Sequence, residues 1–121
     1  MIEHLSLEDL LVLVDDLGVG PVRDLGQLDA AAHRPRTSLW GNDAYPGLDE
    51  KAAALLEPLV RNHPLVNGSK RLGWLAAVVF LDINGAWVDA PDDEAYDLVI
   101  SVAEGRRQLG EVAALLSRWH A

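Results

Sequence analysis

The chain has 121 residues, half of them apolar, which is enough for one domain with its own core. Its formal net charge of −9 argues against nucleic acid as a main partner, because phosphate backbones attract basic surfaces. It has no cysteine, which excludes disulfides and thiolate metal sites and fits a reducing cytoplasm.

Met1-Ile2-Glu3-His4-Leu5 lacks the cationic start of a signal peptide. The longest apolar run, Leu72 to Leu81, falls short of the ~20 residues that a membrane-spanning helix needs. The expected location is therefore the cytoplasm, with no membrane partner.

Ser6 is the N-cap of a first helix, and Glu8 and Asp9 lie where the helix dipole favours acids. Leu7, Leu10, Leu11, Val14 and Leu17 follow helical spacing up to Gly18 and Gly20-Pro21. A short second helix is predicted from near Asp24 through Leu25, Leu28 and Ala32, and Arg34-Pro35-Arg36 breaks it. Thr37 to Gly47 has no helical period. It reads as an ordered loop, pinned to the core by Trp40 and Tyr45, or as a short extended flap.

Gly47 or Asp49 starts a third helix through Leu55, Leu56, Leu59 and Val60, and Pro58 kinks it or marks its last turns. Ser69 to Ile83 is apolar on nearly every face, so this helix belongs in the middle of the domain. Asn84-Gly85 stops it. A helix opening at Pro91-Asp92-Asp93-Glu94 carries Tyr96, Leu98, Val99 and Val102 up to Gly105. A last helix runs from about Leu109 to Trp119, with Val112, Leu115, Leu116 and Trp119 on one stripe. The expectation is one compact all-α domain over residues 1–121, with six helices and the helix after residue 68 central.

The segment from His63 to Gly73 carries the chemistry. Lys70 and Arg71 fall in the first turn of that helix, where the dipole disfavours cations by a few tenths of a kcal/mol each, up to ~1. Backbone N–H groups, the dipole and two cations converge there, which suits a phosphate. His63, a few residues upstream, adds a side chain that takes a proton near neutral pH. The plain alternative is two solvated surface cations and a histidine without a catalytic role.

His63-Pro64-x-x-x-Gly68-x-Lys70-Arg71 before a buried helix resembles the signature of the Fic/Doc family, roughly His-Pro-Phe-x-Asp-Gly-Asn-Lys-Arg. Lysine before the arginine is similar to the Doc branch, the toxins of Phd–Doc toxin–antitoxin pairs. Ala44-Tyr45-Pro46, Glu50 to Leu56, Arg61-Asn62 and Phe80 to Gly85 resemble the family's flanking segments, so the likeness spans nearly the whole chain.

The resemblance implies transfer of a phosphoryl group from ATP, with Mg2+, to a protein hydroxyl, the Doc target being elongation factor Tu. It also implies a Phd-like antitoxin as partner. It makes His63 the general base. Gly68, Ser69 and Lys70 offer backbone N–H groups to the phosphates, and Lys70 and Arg71 neutralise charge in the transition state. The family's flap aligns the target segment, which gives residues 37–47 their functional reading.

The chain departs from the pattern at several points. Leu65 replaces phenylalanine. Asn67 stands where the family carries the carboxylate that helps hold magnesium, and an amide is a weaker ligand for a hard cation. Ser69 stands where asparagine shapes the anion turn. Trp74 occupies the place of the second arginine of adenylylating members. Two alternatives follow: AMP transfer of the Fic type, and a catalytically impaired module that only binds its antitoxin.

Other constellations carry less. His4, His33 and His120 show no metal-ligand spacing, and His120 is expected to be disordered surface. No P-loop is present. Ser101 to Gly105 is one residue too short for the inhibitory Ser-x-x-x-Glu-Gly motif of Fic regulation and reads as a helix end capped by Gly105.

Overall fold

A computed structural model describes residues 1–121. Six helices form it: α1 Leu7–Leu17, α2 Leu25–His33, α3 Leu48–Arg61, α4 Ser69–Ile83, α5 Asp92–Ala103 and α6 Leu109–Arg118. A 3-10 turn at Arg34–Arg36 and a hairpin of β1 Ser38–Leu39 and β2 Asn42–Asp43 lie between α2 and α3. No helix is long and apolar enough to cross a membrane.

Local chemistry sets the helix ends. Ser6 Oγ accepts the Asp9 N–H at 3.1 Å and the Asp9 carboxylate accepts the Ser6 N–H at 2.9 Å, a reciprocal cap on α1. Asp24 caps α2 through Gln27 N–H. Gly47 is the N-cap of α3, and Glu50 accepts its N–H at 3.2 Å. Gly85 and Gly105 take left-handed φ of 87° and 75° just past α4 and α5, as the sequence predicts.

The centre is shared by α3 and α4. Ala52 to Leu56 of α3 are all buried, and so are Leu72, Ala76, Ala77, Phe80 and Leu81 of α4. The two helices meet at Gly73, where an added Cβ would lie 2.6 Å from Val60 Cγ2. This close approach fixes how the end of α3 faces the start of α4, and so the path of the loop between them.

Pro58 lies inside α3, which continues to Arg61. A proline has no N–H for the carbonyl four residues back. That carbonyl, Ala54 O, instead accepts Arg34 Nη1 at 3.3 Å.

The hairpin pairs Ser38 with Asp43 and Leu39 with Asn42 through the turn Trp40-Gly41, both residues at positive φ (54° and 79°). Residues 38–43 are therefore the extended flap. Trp40 corrects the expectation of a pinned loop, because its side chain is fully exposed. What pins the segment is Lys51 of α3, whose buried side chain donates to Asp43 Oδ2 at 3.1 Å and to the Tyr45 carbonyl. Arg34 adds a bond to Tyr45 Oη at 3.1 Å and stacks over the Tyr45 ring.

His120 is a second correction. Its Nε2 lies 2.7 Å from Asp49 Oδ1, and its side chain is only 13% exposed. The partner is 71 residues away in sequence, beyond the reach of any local signal.

Candidate functional site

The loop from Asn62 to Gly68 joins α3 to α4. His63 opens it with a left-handed backbone, φ 48°, a conformation that costs a residue with a Cβ on the order of 1–3 kcal/mol. Neighbouring chain holds it there. Residues 20–24, between α1 and α2, run antiparallel to the loop through the bridge Val22–Leu65. Val66 N–H donates to Pro21 O at 2.9 Å and Gly20 N–H to Asn67 O at 3.0 Å. Arg23 and Asp24 N–H both donate to Pro64 O, at 2.7 and 3.0 Å. Arg23 Nε donates to the His63 carbonyl at 2.9 Å, and its Nη2 reaches the Asn62 carbonyl at 3.2 Å.

Gly68 is the N-cap of α4 at φ 91°. A Cβ there would lie 2.5 Å from Val19 Cβ, so both the backbone and the packing demand glycine. Glycine also brings no capping side chain. The N–H groups of Ser69, Lys70 and Arg71 thus have no protein acceptor. Ser69 contributes only that N–H to the cleft, because its buried Oγ turns inward and accepts the Leu65 N–H at 3.1 Å.

All six residues singled out in the sequence, His63, Asn67, Gly68, Ser69, Lys70 and Arg71, line one cleft of about 540 Å³. Arg23, from the α1–α2 connection, and Tyr96 and Ile100, from α5, complete it together with Leu65 and Val66. No carboxylate lines this cleft, although the chain carries 19 acids. Lys70, Arg71, three free amides and a helix N-terminus make it an anion site, while the Arg23 guanidinium in its lining donates to the loop carbonyls.

The sequence motif does not mark Arg23, Tyr96 and Ile100 as site residues. A signal existed for Arg23, a cation directly before the cap Asp24, where the helix dipole gives it no favourable role. Tyr96 carried none beyond helical spacing.

Two further hollows adjoin the site. A mostly apolar cleft of about 400 Å³ shares Lys70, Arg71, Tyr96 and Ile100 with the first and adds Leu17, Trp74, Leu75, Ala95, Val99 and one carboxylate, Asp92. Trp74, in the place of the second arginine, packs edge-on against Trp119 with ring centroids 6.1 Å apart. On the other side, an open polar groove of about 700 Å³ runs from Thr37 at the flap base to Arg61 and Asn62 beside His63.

No group of three or more His, Asp or Glu side chains could hold a metal ion. Asn67 offers the one amide oxygen in the anion cleft. Ser101, by contrast, is buried: its Oγ donates to the Leu98 carbonyl and accepts Arg107 Nε. It serves the end of α5, as its spacing predicts.

Comparison with known proteins gives the family. The family model described as Fic/DOC family matches residues 4–81. The chain is 47% identical over 122 residues to a protein named Toxin Doc from Mycolicibacterium smegmatis, covering 97% of this chain and 93% of that one. With the family model matched over residues 4–81 and this relative aligned along nearly its whole length, the chain belongs to the Fic/Doc family.

Proposed function

We propose that this protein is the toxin of a Doc-type toxin–antitoxin pair and a cytoplasmic phosphotransferase that moves the γ-phosphoryl group of ATP to a hydroxyl of a translation protein, elongation factor Tu being the target the Doc resemblance implies. The observation that carries the reading is the anion cleft. An acidic chain sets Lys70 and Arg71 at the unpaired amides of α4, keeps every carboxylate out of the cleft and places His63 in the same lining.

A ring nitrogen of His63 takes the proton as the acceptor hydroxyl oxygen attacks the γ-phosphorus. The new O–P bond forms as the bond to the β,γ-bridging oxygen breaks, and ADP leaves. A positioned base of this kind contributes ~10²–10⁴-fold. Lys70, Arg71 and the amides of residues 69–71 stabilise the equatorial oxygens through fixed charge. The apolar cleft, lined in part by Trp74 and Tyr96, has room for the nucleobase. The polar groove from the flap to Asn62 suits the acceptor segment.

Magnesium bound to the nucleotide supplies charge neutralisation. The cleft has no carboxylate to hold it, and Asn67 would offer an amide oxygen beside the phosphates. The likeness to a protein named Toxin Doc supports control by a separate Phd-like antitoxin.

Incubating the chain with elongation factor Tu and ATP labelled at the α- or the γ-phosphate tests the reading. Label from the γ-position on the target, lost in His63→Ala, supports it. Label from the α-position supports AMP transfer. ATP binding without transfer of either label, together with capture of a Phd-like helix, supports the binding module that Asn67 suggests.

A further inference from the structure

We infer that Arg23 is a positioning residue for His63, an inference that rests on the proposed transfer reaction. Its guanidinium donates to the carbonyls of His63 and Asn62, 40 and 39 residues further along the chain. These carbonyls belong to the two peptide planes that flank the His63 Cα. Fixing both planes fixes the direction of the Cα–Cβ bond, and with it where the imidazole stands over the anion cleft.

The clamp matters because His63 departs from ordinary backbone. At φ 48° it would relax toward the extended region if released, swinging its side chain away from the phosphate site. Pro64 limits what can substitute for the clamp. A proline has no N–H and so cannot tie the turn down from within. The donors come instead from outside the loop, from Arg23 and from the N–H groups of Arg23 and Asp24 on Pro64 O.

A core role does not account for Arg23. It is exposed, takes no part in the buried cluster and has no carboxylate partner. It lies in the cleft lining while its donors point to the loop. Arginine suits the role because Nε and Nη2 of one rigid plane meet the two carbonyls in a fixed geometry, whereas the lysine ammonium is a point charge on a flexible stem.

The test uses the full chain with Arg23→Ala, Arg23→Lys, Arg71→Ala and His63→Ala. Two quantities are read: the backbone 13C shifts of His63 by NMR, and γ-phosphoryl transfer at saturating ATP. In Arg23→Ala the His63 shifts are expected to leave the left-handed range. The turnover should fall about 10²-fold, the scale of a catalytic group misplaced by about an ångström, while the KM for ATP stays near its original value. Arg23→Lys, which keeps the charge and loses the rigid planar fork, should fall between. It also decides the matter if the alanine variant does not fold.

Left-handed shifts and full turnover in Arg23→Ala overturn the inference. So does a rise in KM matching that of Arg71→Ala with turnover kept, which would make Arg23 a phosphate ligand. If the native chain transfers no label, or His63→Ala transfers as well as it does, the proposed function fails, and the His63 shifts alone then decide whether Arg23 holds the loop.

Discussion

Arg34 Nη1 donates to the Ala54 carbonyl at 3.3 Å, the acceptor that Pro58 leaves without a helical partner. The same guanidinium pairs with Glu57 at 3.0 Å and bonds Tyr45 Oη. One side chain therefore repairs α3 where the proline interrupts it and ties that repair to the root of the flap. Arg34→Ala should cost about 1–3 kcal/mol, from the orphaned carbonyl and the unpaired, mostly buried Glu57. Urea unfolding measures the loss. Limited proteolysis should show faster cutting near Trp40-Gly41, and an unchanged rate there would mean that Lys51 alone holds the flap.

Gly73 allows α3 and α4 to approach. In Gly73→Ala the new methyl meets Val60 Cγ2, and overpacking of this kind typically costs 1–3 kcal/mol. Val60→Ala removes the clashing atom. The double variant should be more stable than the sum of the single losses predicts, by a double-mutant cycle in urea. Simple additivity would mean that the helices separate rather than clash.

Ser69→Ala removes the acceptor of the buried Leu65 N–H. An orphaned buried donor costs about 1–3 kcal/mol, and the loop from His63 to Gly68 loses its inner staple. The thermal midpoint should fall and amide exchange at Leu65 should quicken. Protection of that amide at the original level would contradict the staple.

Stability should depend on pH through two histidines of opposite sign. The bond to Asp49 raises the His120 pKa above its usual 6.5. Its stabilisation is complete below pH 6.5 and is lost as pH rises through the raised value. Burial, with help from Arg36 and Lys51, lowers the His4 pKa, and His4 Nδ1 is buried without a partner. Its penalty appears as pH falls below 6.5 toward the lowered value, because the unfolded chain takes up the proton first. Together these two groups favour a stability maximum near pH 6.5. Thermal midpoints of His120→Ala across pH should lose the decline on the alkaline side, and those of His4→Phe the decline on the acidic side.

Asn67→Asp places a carboxylate in a cleft that has none. Under the proposed reaction it should lower the magnesium concentration needed for half-maximal transfer and raise turnover. Arg71→Ala should weaken ATP binding by about 1.5–3 kcal/mol, and Lys70→Ala by less, because lysine lacks bidentate geometry. Magnesium titrations of transfer and calorimetry with ATP measure both effects.

The sequence by itself determined the helices, their ends and the anion motif. These signals act within a few residues: Ser6 with Asp9, glycines at positive φ, apolar spacing along one helix, and His63 to Arg71 as one run. Tertiary structure alone decided which distant groups complete the site. Arg23 meets His63, Lys51 is buried under the flap and His120 closes on Asp49 because packing of the helices brings their elements together. The flap shows the limit. Trp40 and Tyr45 are both aromatic, yet only Tyr45 has a partner, Arg34, while Trp40 stands at the tip of a two-residue turn with no surface within reach. An exposed or buried fate for a side chain depends on what lies opposite it, and composition does not record that.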